Sequence, residues 1–267
     1  MWVRQGGREQ SRPPNLKPDR SEKMNTTARL VPINHLREEL IERRARELLG
    51  EFWKQEQARQ GRRIDALSML PIDPMAIATR TLGLTIEEPN EEWFLPSEGH
   101  LRPAGAGLVR AGEKKIVLLS HGLERVVKRY TLGHEIGHYV LHPYVTQFRE
   151  HPATEAAIRS QVRSPRERDA DQFAAALLMP RRLVLKIFEQ FVGDPIVGRN
   201  LTDEQAFALV GERYWASEIA KMTPLQRAIL VATRTSLVHA NQRPLADIFD
   251  VSPTAMGVRL LRLRLVE

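Results

Sequence analysis

The sequence predicts an α+β protein in which helices dominate. Three observations carry this reading. Apolar residues recur at helical spacing over 34–60, and two short β-rich runs at 107–110 and 115–120 flank a Gly-containing turn. From Ser164 onward, proline-punctuated helices follow one another to about residue 263.

Composition narrows the chemistry. A chain of 267 residues can bury a sizeable core, and 42% hydrophobic with 27% charged residues is ordinary for a globular protein. There is no cysteine, which excludes disulfides, thiolate metal sites and thiol nucleophiles. Any metal must therefore be held by histidine and carboxylate. No apolar run approaches the roughly 18 residues of a membrane span, so no membrane partner is expected. The basic N-terminus has no apolar stretch behind it, unlike a secretory signal, and a cytoplasmic location is the expectation. The net charge of +7 is uneven. Residues 1–30 hold seven basic and three acidic side chains, 31–180 hold 21 of each, and 181–267 hold twelve and nine. The excess lies at the ends, so the central body carries no nucleic-acid signature.

Each element follows from local signals. Residues 1–30, with Gly6-Gly7, Pro13-Pro14 and Pro18, read as a disordered leader. Asn34 caps a helix to Gln60 whose Leu36, Leu40, Ile41, Ala45, Leu48, Leu49, Phe52 and Trp53 form one buried stripe. Asp73-Pro74 opens a short helix to about Thr81, with proline in the first turn where its missing N–H costs nothing. Residues 84–87 read as a strand, and 89–106, rich in proline and glycine, as a loop. The two β-rich runs make a hairpin about Ala111-Gly112-Glu113. A long helix then runs from about Gly122 to His142, stopped by Pro143. Residues 143–163 are a polar connection with a short helix at 155–163. Ser164-Pro165 opens the next helix, which ends near Pro180, and further helices are expected at about 181–191, 203–220, 224–239, 245–249 and 253–263.

The chemistry concentrates in His134-Glu135-Ile136-Gly137-His138. Residues four apart on a helix lie about 40° apart around its axis, so two imidazoles there can reach one ion. Glu135 lies about 100° round, badly placed to be a ligand but close enough to take a proton from water activated at the metal. That is the His-Glu-x-x-His arrangement of metalloproteases, with the glutamate as general base. A catalytic zinc usually takes three protein ligands. Glu167 can supply the third, with Asp171 one turn on orienting a ligand histidine. The alternatives stay open at this level. Ser164 and Glu167 also fit a capping box, Asp169 is on the opposite helix face, and His142 shares a face with both histidines.

At these residues the chain resembles the ImmA/IrrE family of metallopeptidases. The similarity runs through Ile72-Asp73-Pro74-Met75-Ala76-Ile77-Ala78, the hairpin, Arg129-Tyr130-Thr131-Leu132-Gly133 leading into the His-Glu motif, and Glu167 through Pro180. It spans roughly residues 65–190. The resemblance implies a zincin-like fold, a small twisted sheet packed on an active-site helix. It further implies zinc held by His134, His138 and Glu167, Glu135 as base, and a protein substrate such as a DNA-binding repressor of stress or mobile-element genes. Asp171 stands where the family commonly has Asn, Asp169 where Glu is usual and Gly133 where Ala is usual. The loop at 89–106 is longer than typical. An extended substrate is expected to pair with the edge of the hairpin. Tyr130, Tyr139, His142 and Tyr144 are all near enough in sequence to stabilise the oxyanion.

The expected organisation is a leader at 1–30, a zinc metallopeptidase domain at 31–192 and a helical segment at 193–267 resembling a helix-turn-helix. In that segment Leu245, Ile248, Phe249, Val251, Met256, Leu260 and Leu263 are expected to pack on the body, with Arg259, Arg262 and Arg264 on the outer face. Gly257 weakens a recognition helix. DNA binding through this segment is the alternative, as is a transcription regulator or toxin–antitoxin-type interaction protein on the same scaffold. Glu135 favours the enzyme, because a structural zinc needs ligands but no base.

Overall fold

Helix α1, Ile33–Gln60, buries Ile41, Ala45, Leu48, Leu49 and Phe52 against the rest of the protein. The computed structural model describes residues 33–88, 94–97, 100–103, 106–111, 114–143, 147–150, 164–192, 219, 221–234 and 243–266. The expected leader at 1–30, the short helix at 155–163, most of the helix at 203–220, the end of that at 224–239, and Tyr144 lie outside these residues. The α1 stripe is shorter than its periodicity suggests. Leu36 and Leu40 are 55% and 41% exposed. They border a groove of about 1110 Å³, with Leu185 and Leu263 on its other walls, that no described residue fills.

Asp73 caps helix α2, Pro74–Ala76, its Oδ1 accepting from the Met75 and Ala76 amides. The chain continues in a wide turn, Ile77–Thr81, and reverses at Gly83, whose φ of +64° suits glycine. Strand β1, Thr85–Glu87, follows. The stretch expected as a loop carries a second, two-stranded sheet of β2, Phe94–Ser97, and β3, His100–Pro103. Its prolines explain the misreading, and the pairing explains their tolerance. Pro96 faces Leu101 and Pro103 faces Phe94 in a two-stranded sheet, where among the described residues each strand is an edge and proline is tolerated.

Strands β4, Ala106–Ala111, and β5, Lys114–Leu119, form the expected hairpin, with Ala111 paired to Lys114 rather than in the turn. The connection at 143–163 contributes β6, Gln147–Glu150, antiparallel to β4. The main sheet runs β1-β5-β4-β6, with β1 parallel to β5. Among the described residues, the outer edges of the β4–β5 hairpin are thus taken along 116–118 and 106–109, on the hairpin where an extended substrate was expected to pair.

Helices α3, Arg125–Leu141, and α4, Pro165–Leu178, pack most closely of all. Gly133 and Gly137 of α3 face Ala170, Phe173 and Ala174 of α4. A Cβ on Gly137 would lie 3.1 Å from the Ala170 backbone, so this glycine sets the interhelix distance. Helix α5, Arg181–Val192, leads to α6, Pro224–Thr233, capped by a Thr223/Gln226 capping box. Helix α7, Leu245–Phe249, ends at Asp250 in the left-handed region, and Ser252 caps α8, Pro253–Arg262.

Two apolar cores result. One joins α1, α2, β4, β5 and α3 around Ile72, Ile77, Val117, Leu132 and Ile136. The other joins α5 and the C-terminal helices around Val184, Phe188, Leu245, Phe249, Met256 and Leu260. Helix α4 feeds both, through Phe173 and Leu177 to the first and Leu178 to the second. Gly257 weakens α8 for a packing reason, since its Cβ would lie 2.9 Å from Ile229 of α6. Arg259 is not on the outer face. It is 3% exposed, with Nε donating to the Met179 carbonyl and both Nη atoms to the Glu42 carboxylate.

Candidate metal centre

The burial of α3 places the cluster. Leu132 and Ile136 anchor one side in the sheet-facing core while Gly133 and Gly137 admit α4 on another. The polar residues between them are thereby carried inside: His134, Glu135 and His138 are at most 1% exposed. Ser164 starts α4 at the level where its third residue meets α3, its Oγ accepting from the Glu167 amide at 3.3 Å. The Glu167 carboxylate turns to the histidines rather than back to the cap. Its Oε2 is 3.3 Å from His134 Nε2 and its Oε1 is 3.4 Å from His138 Nε2. The two Nε2 atoms are 2.9 Å apart.

These distances suit a small ion. Bonds of about 2.0–2.1 Å at tetrahedral angles put neighbouring ligand atoms roughly 3.3–3.4 Å apart. Both histidine–glutamate separations fall there, and the histidine pair needs to open by only about 0.4 Å on that criterion. Ligand atoms of His134, His138 and Glu167 all lie within 4.8 Å of one another, and among the described residues this is the one such group. Two nitrogens and one oxygen, with no thiolate, make a three-donor set that leaves a fourth tetrahedral position open.

Behind the ligand atoms, His134 Nδ1 is 3.0 Å from Asp171 Oδ1. Tyr130 hydroxyl donates to the Asp171 carbonyl, holding that turn of α4. His138 Nδ1 is 3.2 Å from His142 Nδ1. Burial pushes His138 below the usual imidazole range, partly opposed by Glu167. His142 is lowered too, by burial and then by His138. Neutral imidazole is the metal-binding form, so the fold keeps the His138 ring ready at neutral pH. Asp169 stays out of the cluster, paired with Arg37.

Residues 97–197 match the Peptidase_M78 family model, the IrrE N-terminal-like domain. Over this stretch the chain is similar to that domain. The match spans β4, β5, α3, α4 and α5, and so contains every residue of the cluster. The short helix after Ile72 lies ahead of it. No curated protein matches the chain. The similarity is to metallopeptidases of the ImmA/IrrE type, and the matched stretch carries a His-His-Glu group able to share one metal. Sequence reading alone had no signal for Arg37, 132 residues from the Asp169 it grips. Nor had it one for Lys115, whose amine donates to the Tyr139 hydroxyl at 2.8 Å.

Proposed function

We propose that this chain is a zinc endopeptidase that cleaves a specific regulatory protein, such as a DNA-binding repressor. The observation that carries it is a buried glutamate, Glu135, set on the same helix between two histidines whose Nε2 atoms converge with Glu167. His134 and His138, through Nε2, and Glu167, through its carboxylate, would hold the ion. When bound, zinc lowers the pKa of water towards neutrality and polarises the scissile carbonyl. Glu135 takes the proton from the attacking water and returns it to the leaving amine nitrogen. Asp171 orients the His134 ring, and the burial of His134, Glu135 and His138 weakens the screening of charge around them. No helix among the described residues is long and apolar enough to cross a membrane, and we place the activity in the cytoplasm.

The test is Glu135→Gln, with metal analysis and mass-spectrometric readout of candidate repressors. The variant should hold about one zinc per chain, as expected for a site whose ligands are intact, yet lose cleavage by at least the 10²–10⁴-fold typical of a general base. Cleavage at the wild-type rate would remove Glu135 from the reaction.

A further inference from the structure

The two histidines of the cluster are backed differently. Behind His134 stands a carboxylate, Asp171. Behind His138 stands another imidazole, with Nδ1 facing Nδ1 at 3.2 Å and the two rings tilted by 44°. His142 Nε2 in turn lies 3.8 Å from Asp169 Oδ2, and both side chains are only 11% exposed. Asp169 is held by Arg37, whose Nε donates to Oδ1 at 2.7 Å and whose Nη2 donates to Oδ2.

Proton counting gives this line of groups one consistent arrangement. For His138 Nε2 to present a lone pair to the cluster, the ring proton must sit on Nδ1. That N–H needs an acceptor, and the atom in front of it is His142 Nδ1. His142 accepts there only if its own proton is on Nε2, which faces the Asp169 carboxylate. Arg37 is bound to both oxygens of Asp169 and holds that carboxylate in place. We propose that His142 is a positioning residue, which fixes the tautomer and ring angle of His138 and is itself held by Asp169 and Arg37. The chain thus ties the metal centre to α1, an element outside the 97–197 domain. It accounts for the position of His142 just past the last turn of α3, where it could otherwise have been a ligand or a cap. The proposal rests on the reading that His134, His138 and Glu167 hold zinc.

The experiment uses the full chain and zinc alone. Affinity is measured by competition with a chelating dye, stoichiometry by elemental analysis, and folding of each variant by circular dichroism. His142→Ala should weaken zinc by about 10–100-fold, the usual effect of removing the partner of a ligand histidine. His142→Asn should regain most of it, because the amide oxygen falls near the place of Nδ1. His142→Gln should not, its acceptor lying one bond too far. Should the alanine variant fail to fold, the contrast between Asn and Gln decides. Nitrogen-15 spectra of the zinc-loaded chain should show His138 protonated at Nδ1. Wild-type affinity in all three variants, or an Asn variant no tighter than Gln, overturns the positioning role while leaving the metal site standing. A wild-type chain that takes up no zinc overturns the metal site and this proposal with it.

Discussion

Glu167, Asp171 and Asp169 lie within five residues of one another, yet the structure gives each a different distance from the metal position. Glu167 contacts both histidines, Asp171 backs one of them, and Asp169 is reached only through His142. Zinc affinity should follow that order. Glu167→Ala should lose the most, Asp171→Ala about the 10–100-fold typical of a ligand's partner, and Asp169→Ala the least. Competition titrations of the three variants check it, and an Asp169 variant that sheds zinc first would contradict the geometry. The pH response belongs to this scale as well. His138 and His142 are held below the ordinary histidine value of about 6.5, so below that pH the unfolded chain binds more protons than the folded one. Stability of the metal-free chain should be full above about pH 6.5 and fall steadily as the pH drops towards 5. His142→Asn should flatten that fall, as read by melts across the range. The paired histidines were legible because helical period alone brings them together. Arg37 was not, because its contact with Asp169 depends on how α1 lies on α4.

Two glycines one turn apart on α3 should respond oppositely to alanine. At Gly133 the new Cβ meets Ala174 at 3.4 Å, an ordinary contact. Gly133→Ala should therefore stabilise by up to about 1 kcal/mol through the lower entropy of the unfolded chain. At Gly137 the nearest atoms are the Ala170 Cα and carbonyl oxygen at 3.1 Å, which belong to another helix and cannot rotate away. Gly137→Ala should cost about 1–3 kcal/mol and displace α4, carrying Glu167 off the cluster. Denaturant melts and zinc titrations on both variants measure the two effects together. Helices were the readable part of this fold, since apolar spacing and proline caps act locally. Strands β2, β3 and β6 were not. Their pairing depends on partners distant in sequence or on register, and proline at 96 and 103 hides a hairpin that simple rules forbid.

Across the whole molecule, the C-terminal helices fall in the same compact unit as α3 and α4, residues Ile33–Glu267 clustering together. Arg259 carries much of that attachment, joining α8 to α1 through Glu42 and to the end of α4 through Met179. Arg259→Ala should destabilise by about 3 kcal/mol, because it strands a part-buried carboxylate and a buried carbonyl. Leu260→Ala, at 0% exposure, should cost about 2–5 kcal/mol. Arg262, which is exposed, should change stability little. Thermal melts separate the three. A gel shift with random duplex at two salt concentrations should show no sequence-selective binding that Arg262→Ala removes. The separation of apolar and basic faces on α8 was a fair reading of its spacing, but no periodicity can reveal that one arginine has a carboxylate waiting inside.

Asp250, in the left-handed turn between α7 and α8, grips the first turns of α3. Arg125 Nη2 meets its Oδ1 and Arg129 Nε its backbone carbonyl, while Arg129 Nη2 donates to Ile72 at 2.6 Å. Arg125 and Asp250 stand 125 positions apart in the chain. At a synthesis rate of roughly 5–20 residues per second, the ribosome delivers the aspartate about 6–25 s after the arginine. During that interval the histidines have already emerged while their helix lacks its far anchor. An ion taken up before the interval closes would meet a site without that anchor, and one taken up later a site with it, so the position of Asp250 in the chain would set the order of translation and metal uptake.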